Sequence, residues 1–120
     1  MNAFHVKMFA KFLEGEIKKC ESVNVGMKDE GWQISVWARD KRSENRGYGL
    51  CFRKRMDGCY SEVCVGPFYG DSLNATYLYD IYNCEDVDGF KISWIQTIAK
   101  RLIKGAAFWY GKSNEGNGKP

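Results

Sequence analysis

The chain has 120 residues, 44% of them hydrophobic and 15% aromatic, enough for one packed core and too few for two. That composition excludes intrinsic disorder, and the formal net charge of +3 excludes neither a protein nor a nucleic-acid partner. No run approaches the roughly 20 apolar residues of a membrane span. Residues 1–7 lack a basic segment leading into an apolar one, so the expected location is cytoplasmic, with no membrane partner.

Residues 2 to 20 read as a helix. Phe9, Leu13 and Ile17 recur at i, i+4 and i+8, Phe4, Met8 and Phe12 widen the apolar arc, and Lys7, Lys11, Glu14 and Lys18 fill the rest. From Ser22 to Asn83 the period shortens to two. Val23 and Val25 open a first strand, and a turn over Lys28–Gly31 leads into a second. There Trp32, Ile34, Val36 and Ala38 alternate with Gln33, Ser35, Trp37 and Arg39. A charged loop over Asp40–Arg46 precedes a third strand, Tyr48–Arg55. The Met56–Asp57–Gly58 turn predicts a tight hairpin into a fourth, Cys59–Val65. A loop over Gly66–Ser72, stiffened by Pro67, precedes a fifth strand at Ala75–Asn83.

Residues 90–110 return to helical spacing through Ile95, Ala99, Leu102, Ala106 and Trp109. Asp86 or Asp88 is the expected N-cap and Gly111 the expected stop. The expected architecture is therefore α+β: a five-stranded antiparallel meander flanked by a helix at each end. Residues 1–112 form the domain and 113–120 a disordered tail.

Chemistry-bearing motifs are sparse. The single histidine, His5, sits at a helix edge. Cys20, Cys51, Cys59, Cys64 and Cys84 show no C-x-x-C spacing, which favours reduced, buried thiols over a metal site. Glu85, Asp86 and Asp88 fail the ligand spacing of a calcium loop and suit a helix N-terminus instead. No catalytic residue, metal ligand or cofactor is assigned, and the expectation is a non-enzyme.

Charge layout says more. Residues 39–55 carry Arg39, Lys41, Arg42, Arg46, Arg53, Lys54 and Arg55 against Asp40 and Glu44. Residues 57–90 carry Asp57, Glu62, Asp71, Asp80, Glu85, Asp86 and Asp88 with no lysine or arginine. Neighbouring antiparallel strands of opposite charge can neutralise one another. If Trp32, Ile34, Val36, Leu50, Phe52, Val63 and Val65 face the helices, then Trp37, Arg39, Arg53, Arg55, Tyr60 and Glu62 face outward, with Phe68 and Tyr69 at a loop tip. Tryptophan, tyrosine and arginine are the residue types enriched at interface hot spots. The expected function is a protein-binding module, an adaptor or an inhibitor of the kind mobile elements direct at host machines, acting on a larger protein or complex. The alternative is single-stranded nucleic-acid binding through Arg39, Lys41, Arg42, Arg46, Tyr48, Arg53, Lys54 and Arg55, where cations and aromatics interleave.

Overall fold

The computed structural model describes residues 2–54, 56–74, 80–83 and 92–118, with side chains described for 2–54, 56–74 and 94–112. The first helix, α1, spans Ala3–Lys18, and the Asn2 side chain caps it by accepting from the His5 backbone N–H at 2.8 Å. Four strands follow as hairpins: β1 (Val23–Asp29), β2 (Gln33–Asp40), β3 (Arg46–Lys54) and β4 (Tyr60–Tyr69). Two short strands, β5 (Ser72–Leu73) and β6 (Asp80–Asn83), both pair with β4, so the fifth column of the antiparallel sheet is made of two pieces. Helix α2 spans Ile92–Gly118. The α+β meander with a helix at each end is the architecture expected from the sequence.

Several boundaries differ from that expectation, each for a local reason. Trp32 lies outside β2: with Gly31 at a φ of +82° the bend runs through Trp32 and the strand begins one residue later, at Gln33. Strand β4 continues through Gly66–Pro67–Phe68, where a loop is expected. Pro67 is tolerated because its carbonyl accepts from the Asn74 N–H at 2.8 Å, so its missing N–H falls on the β5 side and not on the β3 ladder. Helix α2 passes Gly111, which does not take the positive φ of a left-handed helix cap. The expected caps Asp86 and Asp88 lie outside the described residues.

Both helices cover the same face of the sheet. From α1 come Val6, Phe9, Ala10, Leu13 and Ile17; from α2, Ile95, Ala99, Leu102 and Ala106. They pack on Ile34, Val36, Ala38, Leu50, Phe52, Val63 and Val65. Each fully buried aliphatic or aromatic side chain contributes about 1.5–3 kcal/mol by leaving water. The buried arc of α1 is narrower than its apolar content: Phe4 is 77% exposed and Phe12 49%. One sheet face can bury only a stripe of a helix, and the second apolar row on α1 lies outside it.

The helices share a direction. The Nζ of Lys7, near the start of α1, lies 3.6 Å from Asp29 at the far end of β1. Near the other end of the sheet, Arg42 and Arg46 lie over Tyr110 and Trp109 of α2. The molecule therefore has a tip end, with the β1–β2 and β3–β4 turns and the start of α1, and a loop end, with the β2–β3 loop and Trp109 and Tyr110 of α2.

The face away from the helices is closed by the sheet itself. Lys28 on β1 and Asp71 in the β4–β5 turn form a 2.9 Å ion pair, although β1 and β4 are three strand spacings apart in the sheet, roughly 14 Å if it were flat. The sheet curls to bring them together. Inside the curl Trp37 stacks on Phe68, with centroids 5.3 Å apart and planes at 18°, beside Cys51 and Leu73. The floor beneath the indole is glycine. A Cβ on Gly26 would strike the Trp37 ring, and one on Gly49 would strike the Val36 carbonyl and the Trp37 backbone.

Candidate functional site

The structure splits the residues expected to form an outward protein-binding face. Trp37 is 6% exposed and Phe68 is fully buried, each by the other. Tyr60 is also buried, and on the opposite face: an irregularity in the β3–β4 register at Arg53/Lys54 pairs Tyr60 with Lys54 and turns its ring into the helix-side core. Its hydroxyl donates to the Gly31 carbonyl at 2.9 Å, tying the two hairpin tips together. The expectation that Trp37, Tyr60 and Phe68 form an exposed contact set is corrected by these placements. Arg55 lies outside the described residues, as do Tyr77, Tyr79 and the Tyr82 side chain.

Arg39, Arg53 and Glu62 do share the far face with Trp37, but two of them are engaged in one polar ladder. Arg53 donates from Nε to Gln33 Oε1 at 3.1 Å and lies 3.7 Å from Glu62, the cross-strand neutralisation that the charge pattern allowed. Gln33 also donates to Glu30 and Ser35, and Ser35 Oγ lies 3.3 Å from Cys51 Sγ. Cys64 donates to Glu62 at 3.3 Å. Burial, reinforced by that carboxylate, pushes the Cys64 thiol up to about 12, and burial raises Cys51 as well. Both are therefore thiols at neutral pH and poor nucleophiles. Among the described residues no group of three histidine, cysteine or carboxylate side chains is placed to hold a metal ion. A mixed-charge depression of about 600 Å³ beside β1 is lined by residues that include Glu14, Lys18, Glu21 and Lys41.

The alternative basic set is divided too. Tyr48 lies beneath Gly105 of α2, where a Cβ would strike its ring, so Tyr48 serves helix packing. Lys54 lies 5.7 Å over Tyr60 at the tip end. Arg39 and Arg53 are on the far face. Lys41, Arg42 and Arg46 remain together at the loop end.

What the exposed surface offers instead is an apolar tip. Met56 is fully exposed at the β3–β4 turn, Trp32 is 57% exposed at the β1–β2 turn, and Phe4 stands on the first turn of α1. The two turns are joined by the Lys54 N–H donating to the Trp32 carbonyl at 2.8 Å, and α1 is joined to this end by Lys7 and Asp29. Two signals in the sequence mark these residues. A methionine at a turn position otherwise held by polar residues has no packing role there. An apolar arc on α1 wider than one sheet face can cover must leave part of itself outside.

No protein-family model, curated protein or solved structure matches this chain.

Proposed function

We propose that the chain is a non-catalytic protein-binding module that docks through its tip end. One observation carries the reading: Phe4, Trp32 and Met56, three large apolar side chains, stand exposed on three adjacent segments at one end of the molecule. Large apolar side chains left exposed at one end of a domain are candidates for a contact site, and Trp, Phe and Met are enriched in interface cores. Trp32 and Met56 project from turns and Phe4 from the start of α1, so they act as knobs and the partner supplies apolar pockets. Such a geometry suits an adaptor or an inhibitor that plugs a cleft on a larger protein.

The test is a Trp32→Ser/Met56→Ser double variant. Both side chains are exposed, so it melts within a few degrees of the parent. The partner is first identified by affinity capture from the native host and then purified. Its Kd for the variant is expected to rise at least about 30-fold, the loss of one hot-spot contact of about 2 kcal/mol. An unchanged Kd for that partner, or no saturable partner, would remove the reading.

A further inference from the structure

We infer that the loop end, opposite the protein-binding tip, is a binding surface for single-stranded nucleic acid, built by arginines held on the aromatic rings of α2. The device begins with Asp40, 5% exposed at the end of β2. Its carboxylate accepts from the Arg42 backbone N–H at 3.0 Å and from Arg42 Nε and Nη2 at 2.8 Å each. The Ser43 N–H donates to the Asp40 carbonyl at 2.9 Å, the Arg46 N–H to Ser43 Oγ at 3.0 Å, and the Gly70 N–H to the Asn45 carbonyl at 2.7 Å. A loop with this many internal bonds presents its side chains in fixed positions.

Those side chains are cations on rings. The Arg42 guanidinium carbon lies 4.4 Å from the centroid of Tyr110. That of Arg46 lies 4.7 Å from Trp109 and 6.0 Å from Tyr69. Lys112 Nζ lies 6.0 Å from Phe108. The Nε–Nη2 edge of Arg42 is taken by Asp40. Arg46, held over Trp109 outside that pair, keeps its charge and loses little entropy on binding, the arrangement that suits bidentate phosphate contacts. Among the described residues Lys41, Arg46, Lys104 and Lys112 form no ion pair with a carboxylate, Arg42 is paired with Asp40, and the loop's other carboxylate is Glu44.

The rings decide the class of partner. An acidic protein surface would be met by the cations alone. Here Tyr69, beside Arg46, is 50% exposed and Phe108, beside Lys112, is 71% exposed, offering flat faces on which bases stack. Stacking needs unpaired bases, which a duplex keeps within its own stack. Nothing in this assignment depends on the tip end, where Trp32 and Met56 stand.

Fluorescence anisotropy with labelled single-stranded DNA and RNA of about 12 nucleotides, at low ionic strength, tests it. Expected is saturable binding, tighter than to a duplex of equal length or to polyglutamate. The plot of log K against log salt should have a slope near −2, for about three phosphates contacted. Arg46→Ala should weaken binding about 10-fold. Lys41→Glu, on an exposed loop position where folding is not at stake, should weaken it several-fold, and Tyr69→Leu should erase the preference for single strands. The Trp32→Ser/Met56→Ser variant should bind nucleic acid like the parent, so this surface and the tip end fail or stand separately. Absence of binding at low salt, equal binding to duplex or polyglutamate, or wild-type affinity in both Arg46→Ala and Lys41→Glu would overturn the inference.

Discussion

The two faces of one sheet solve the same burial problem with opposite materials. On the helix side, branched and aromatic strand residues interlock with two amphipathic helices, and the core is assembled from elements far apart in sequence. On the far side no helix lies among the described residues. The sheet curls, glycine replaces side chains on the floor, and one indole and one phenyl ring fill what remains. An alternating strand whose second set contains Trp, Arg and Gln looks amphipathic with a wet face; here that face is half core and half hydrogen-bonded ladder. The period of a strand tells which residues share a face, and only the curvature tells whether that face meets water.

If the far face is a true second core, Trp37→Ala should cost about 3–5 kcal/mol, comparable with Leu102→Ala at about 2–5 kcal/mol on the helix side. Urea denaturation measures both, and a Trp37→Ala cost well under 1 kcal/mol would reduce the far face to decoration. Alanine at Gly26 or Gly49 should each cost about 1–3 kcal/mol through overpacking. The two should then part company in a Trp37→Ala background. The Gly26 penalty disappears with the indole it strikes, whereas much of the Gly49 penalty persists because the Val36 carbonyl is still there.

Asp40→Asn tests the edge where the faces meet, at a cost on the order of 1 kcal/mol. The hydrogen bonds from Arg42 hold the Asp40 carboxyl below its ordinary range. Its contribution is therefore complete above about pH 4 and is lost as pH falls through the lowered folded value. The parent's stability should decline over that acid window more steeply than the variant's, as read from urea midpoints at successive pH values. The smallest effect belongs to the exposed Lys28–Asp71 pair. Lys28→Met should barely move the urea midpoint. It should still quicken alkylation of Cys51 and Cys64 relative to the exposed Cys59 by easing local opening of the curl, and added salt should have the same effect in the parent. Equal labelling rates in parent and variant would show that the pair does not hold the curl closed.

Element type and order were legible because they rest on period: α1, the four hairpin strands and α2 follow from spacing alone. The surfaces were less so. Tyr60 changes face because of one irregularity in pairing, which no alternation pattern contains. Phe68 reads as a loop residue because proline and glycine precede it, yet the proline's missing donor falls on the side where the strand can spare it. Trp37 reads as a contact residue because the glycines that bury it, Gly26 and Gly49, are on neighbouring strands and become its floor only after pairing. The loop-end basic residues were visible as Lys41, Arg42 and Arg46. Their rings, Trp109 and Tyr110, are more than sixty positions away and join them only through the shared direction of the helices.

The glycine floor has a magnetic consequence. Where another residue would carry a Cβ, Gly26 points a Cα proton at the Trp37 indole, within reach of its ring current. In a proton spectrum that resonance should stand well apart from ordinary glycine signals. It would collapse to the random-coil position as soon as the curl opened, even with both helices still docked. A single line would then report the closure of one face of the sheet independently of the other.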